Sequence, residues 1–60
     1  MFVDFEQMSG KRIALNTEHI VNAYPDGDNA SALIVNFGTK TDQVRVRSTY
    51  QEVIEKLNGQ

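Results

Sequence analysis

Between Gln43 and Leu57 the spacing of apolar positions changes period, and that change organises the chain. Val44 and Val46 alternate with Arg45 and Arg47, the two-residue repeat of a strand with one buried face. Tyr50, Val53, Ile54 and Leu57 then fall at i, i+3, i+4 and i+7, which makes one stripe of a helix. The junction carries start signals, because Ser48 with Gln51, or Thr49 with Glu52, can form a capping box. Glu52 and Lys56 sit at the ends of the helix dipole that suit their charges. Asn58-Gly59 offers a stop, with glycine free to turn left-handed. The spacing predicts a strand over 43–47 running into a helix that covers whatever lies upstream.

Upstream, the same reading predicts short strands. In residues 2–8, Val3 and Phe5 share one face while Asp4 and Glu6 share the other. Ser9-Gly10 has the chemistry of a two-residue hairpin turn, and residues 11–15 return with Ile13 and Leu15 inward. Asn16 or Thr17 can cap a single helical turn through His19. Residues 20–24 make a third strand with Val21 and Ala23 inward; a one-residue slip would exchange them for Ile20, Asn22 and Tyr24. Residues 25–29, PDGDN, break the pattern. Residues 32–37, ALIVNF, are the most apolar run and are expected to form a central strand. Gly38 to Asp42 is expected to be a polar turn.

The connections are too short for crossovers, so neighbouring strands pair antiparallel. The predicted fold is α+β: one domain over 1–60, a small antiparallel sheet of four or five strands covered by one C-terminal helix. Its expected core is Val3, Phe5, Ile13, Leu15, Val21, Leu33, Val35, Phe37, Val44, Val46, Tyr50, Val53, Ile54 and Leu57.

Composition narrows the function classes. Sixty residues make one small domain, which buries only about 60% of the surface its unfolded chain exposes. No cysteine is present, so neither a disulfide nor a thiolate metal site can add stability. A single histidine also argues against a zinc centre within one chain. Self-association is then a ready source of further buried area. The net charge of −2 gives no general attraction for nucleic acid or anionic lipid. No apolar run approaches the ~20 residues that span a bilayer. The first residues lack the basic start and apolar run of a signal peptide, which points to the cytoplasm.

The runs SGKRIALNTEHIVNAYPDG and VRVRSTYQEVIEKL resemble the small bacterial proteins of the flagellar FlbD/SwrD type. Those proteins open with a strand, an Asn-Gly-like turn and a strand ending in Leu-Asn, and close with a valine-rich strand leading into a helix. The matching positions are Gly10, Leu15, Asn16, Ile20, Val44, Val46, Val53, Ile54 and Leu57; Ser9 stands where that pattern has Asn. The closing strand and helix also resemble the end of LytTR-type DNA-binding domains. The first resemblance implies a non-enzymatic accessory or regulatory protein of a larger bacterial assembly.

Candidate chemistry is sparse. His19 has no local nucleophile or acid arranged as a triad requires. Asp26, Asp28 and Asn29 offer oxygen ligands in a turn, but a calcium loop needs a bidentate Glu at its twelfth position, and no Glu follows before Glu52. The four glycines are isolated, so no phosphate loop is formed. No catalytic residue, metal site or cofactor is expected. The apolar residues beyond one sheet face are Phe2, Met8, Ile20, Tyr24 and Ile34; Phe2, Ile20, Tyr24 and Ile34 are the candidate partner-binding set and predict a homodimer, through the helix-free face or an edge strand, or a surface for another protein. Lys40, Arg45 and Arg47 are the alternative, a basic face for nucleic acid. Cross-strand ion pairs are the competing use of those cations.

Overall fold

The structure, a computed structural model, describes residues 1–59. Strand β1 (Phe2–Glu6) pairs with β2 (Arg12–Asn16) as an antiparallel hairpin. One 3-10 turn (Thr17–His19) leads to a meander of β3 (Ile20–Pro25), β4 (Ser31–Asn36) and β5 (Thr41–Val46). Helix α1 (Tyr50–Asn58) follows. The fold is α+β, with five antiparallel strands divided into a two-stranded sheet, β1-β2, and a three-stranded sheet, β3-β4-β5. The two sheets join at a narrow seam. Gln7 bridges Val46, the Met8 amide donates to the Arg45 carbonyl at 3.1 Å, and the Arg47 amide donates to the Glu6 carbonyl at 2.8 Å.

The core lies between the inner faces of the two sheets and the helix. Val3, Phe5 and Leu15 come from the hairpin, Leu33, Val35, Val44 and Val46 from the meander, and Val53 from α1; Ile13, Ile20, Ala23 and Leu57 pack around them. Ser31 is fully buried, and its hydroxyl donates to the Ser48 carbonyl at 2.8 Å, which fixes the turn from β5 into α1. The expected capping box forms with Thr49 and Glu52: the Glu52 amide donates to Thr49 Oγ1, and the Thr49 amide donates to Glu52 Oε1. Lys56 reaches back from the helix to the hairpin, donating to the Asp4 carbonyl at 2.8 Å with its ammonium 4.9 Å from the Phe5 ring centre.

Several local expectations are corrected. The first turn is a three-residue loop. Gln7 and Lys11 still pair, the Gly10 amide donates to the Gln7 carbonyl, and Gly10 sits at φ 93°, the geometry of a tight turn closed by a glycine bulge. The β4–β5 connection is shorter than 38–42: Phe37 pairs with Lys40 across Gly38-Thr39, with Gly38 at φ 101°. Phe37 therefore stands on the last rung of the sheet with no layer beyond it, and is exposed. Neither predicted register of β3 holds. A β-bulge between Ile20 and Asn22 inserts one extra residue, so Ile20 and Ala23 both pack on the core while Val21 points to solvent at 56% exposure. Of the helical stripe, Val53 is fully buried and Leu57 packs beside it, four residues on. Ile54 is half-buried outside the core cluster, and Tyr50, on the first turn, is exposed. The helix stops without a left-handed glycine: Gly59 has φ −80° and donates its amide to the Glu55 carbonyl.

Candidate functional site

Two surfaces of the molecule bring the sequence-predicted residues together or apart. The first is the outer face of the three-stranded sheet. The register places Tyr24, Ala32 and Arg45 in one row and Asn22, Ile34 and Gln43 in the next, with Asn36 and Thr41 beyond. Tyr24 is half-exposed and Ile34 half-buried, and Ile34 lies outside the core cluster. Arg45 is the one charged side chain in these rows.

The candidate set Phe2, Ile20, Tyr24 and Ile34 does not form a single patch. Tyr24 and Ile34 share the outer face. Ile20 belongs to the core face, put there by the bulge. Phe2 is on the other sheet, opposite Asn16, and lies five residues before the Gln7 seam, about 17 Å of strand. Three of the exposed apolar residues, Val21, Phe37 and Tyr50, belong to the core expected from sequence; Val21 is turned out by the bulge, which carries no fixed sequence signal.

The second surface is an open cleft of about 510 Å³ at the seam. Its floor is Arg45 and Arg47, two residues apart on one face of the strand end. Glu6 and Met8 from the hairpin form one wall, and Asp26, Asn29 and Ala30 from the β3–β4 loop form the other. Arg45 Nε donates to Asp26 Oδ2 at 2.6 Å. Arg47 Nη2 donates to the Met8 carbonyl at 3.0 Å, and its Nε is 4.0 Å from Glu6 Oε2. Arg12 pairs with Asp4 across the hairpin. Arg12–Asp4 is a cross-strand ion pair of the expected kind, whereas Arg45 pairs with an acid of the β3–β4 loop and Arg47 with the hairpin across the seam. Lys40 is separate from Arg45 and Arg47, at the turn that opens the opposite end of β5. Asp26 and Glu6 were missed as parts of this surface because they come from elements distant in sequence, at separations of 19 and 41 residues from their arginines.

His19 is exposed in the 3-10 turn. Among the described residues, no three His, Cys, Asp or Glu side chains gather as a metal site, and every buried side-chain polar atom has a hydrogen-bond partner. No described helix is long and apolar enough to cross a membrane. No protein-family model, curated protein or solved structure matches the chain.

Proposed function

We propose that this chain is a non-enzymatic protein-interaction module of the cytoplasm, an accessory or regulator of a larger bacterial assembly as the FlbD/SwrD resemblance implies, and that it works as a homodimer. The observation that carries the reading is the outer face of the three-stranded sheet. Tyr24 is half-exposed and Ile34 half-buried there, and both lie outside the core cluster. The identity of the rim favours a second copy as the cover. A two-fold axis brings the residues beside it near their own twins, so like charges at the centre would repel. In the rows of Tyr24 and Ile34 only Arg45 is charged, and Arg45 is held at the margin by Asp26.

Pairing through strand edges is the less favourable route. The open edge of β3 is bulged at Val21 and ends in Pro25, and both features blunt an edge against strand addition. On β5 the Gln43 amide donates to the side chain of Asp42 at 2.8 Å, so a donor that a new strand would use is already engaged.

Sedimentation at tens of micromolar tests the dimer, with Ile34→Asp as the variant. Burying an isoleucine contributes about 1.5–3 kcal/mol, so Ile34→Asp is expected to weaken the dimer by about tenfold to a hundredfold while circular dichroism stays native. A clean wild-type monomer removes the homodimer and requires a different protein on this face. The nucleic-acid reading of Lys40, Arg45 and Arg47 ranks below, because two of those cations face carboxylates and the third lies apart; a flat salt titration against DNA and RNA removes it.

A further inference from the structure

We infer that the seam cleft is a recognition site for a single carboxylate, supplied by an acidic side chain of an extended peptide segment on a protein partner. The inference rests on the interaction-module reading and gives that module a second, chemically selective surface.

The argument is the order of charge across the cleft. Asp26, Arg45, Arg47 and Glu6 follow one another from the β3–β4 loop, over the strand end, to the hairpin. The two cations are neighbours, two residues apart on the same strand face, and each is paired with an acid from a different element. Two cations about 7 Å apart along one strand face repel each other, and a single anion between them completes an alternating row. Both guanidinium groups have capacity for it. A guanidinium carries five N–H donors. Arg45 uses its Nε on Asp26, and Arg47 uses Nη2 on the Met8 carbonyl and has Nε near Glu6. The other donors of both have no partner among the described residues. Because their positions are already set by those bonds, little side-chain freedom remains to be lost on binding.

The same charge order selects the ligand class. With Asp26 and Glu6 included, the cleft is neutral overall, and the chain is net negative. A polyanion that meets Arg45 and Arg47 must also run past two carboxylates, whereas one carboxylate fits between the cations. Met8 and Ala30 in the two walls give apolar contact for a neighbouring side chain of the same segment.

The test is fluorescence anisotropy at low salt with a labelled, C-terminally amidated six-residue peptide that carries one glutamate between leucines in an otherwise serine sequence. The same peptide with glutamine for glutamate, and single-stranded DNA of matched length, are the comparison probes. The glutamate peptide is expected to bind saturably and the other two not. Arg45→Gln and Arg47→Gln each remove a charged hydrogen bond and should weaken the peptide about tenfold. Both sites are half-exposed on the surface, so circular dichroism should remain native. Glu6→Gln removes a competing acid and should tighten binding, an effect that a purely structural role for the pair does not give. Equal binding of the glutamate and glutamine peptides, wild-type affinity in both arginine variants, or preferential binding of DNA overturns the inference. If the peptide fails while sedimentation gives a dimer that Ile34→Asp disrupts, the cleft inference fails alone and the module reading stands.

Discussion

Strands β3 and β4 lie side by side and are matched in content. IVNAYP and SALIVN each have four apolar residues in six, yet β4 buries Ser31, Ala32, Leu33 and Val35 while β3 buries none of its residues fully. The difference is position. β4 is hydrogen-bonded on both sides, and its outer-face Ala32 is flanked in the register by the long side chains of Tyr24 and Arg45. β3 has an open edge and a bulge, so its apolar residues are divided between the core and the solvent. Burial in this molecule is set by place in the sheet more than by a strand's own hydrophobicity.

The contrast can be broken most directly at its centre. Leu33→Ala should cost about 2–5 kcal/mol, because it leaves a cavity in a fully enclosed site. A domain of this size has little more than that in total, so the variant is expected to be largely unfolded by circular dichroism at room temperature. A native spectrum and an unchanged urea midpoint would place Leu33 outside the core. The helix offers the same contrast on a smaller scale, where Val53→Ala should destabilise more than Ile54→Ala although it removes fewer atoms, because only Val53 is fully enclosed. The reverse order in thermal melts would restore Ile54 to the core. Smallest of all, Val21→Ala at an exposed position should stay within about 0.5 kcal/mol of the parent.

Most of the architecture was legible because it rests on periodicity. The alternation of Val3 and Phe5, of Ile13 and Leu15, and of Val44 and Val46 located the strands and their inner faces, and Thr49 with Glu52 located the start of the helix. What was illegible depends on neighbours distant in sequence. The exposure of Phe37 and Tyr50 follows from where the sheet and the first helical turn run out of cover. The burial of Ser31 follows from a hydrogen bond to Ser48, 17 residues away. A periodic stripe also shows which side of a helix is apolar but not its width in contact, and so Ile54 was read as core. The charged cleft was half visible: Arg45 and Arg47 stood out on their strand, but their partner acids come from two different loops and strands, joined only by the fold.

The seam between Gln7 and Val46 has a consequence for how the chain assembles. Every other strand pairing joins neighbours in sequence, β1 to β2, β3 to β4 and β4 to β5, and such local closures are entropically inexpensive and fast. The seam joins positions 39 residues apart through a single bridge. The hairpin and the meander are thus two locally closed units, and the seam between them is expected to be the last contact made. Mutations at the seam, such as Met8→Pro, which removes the amide donated to the Arg45 carbonyl, should then act chiefly on the unfolding rate, since interactions absent from the transition state are felt when the native state opens.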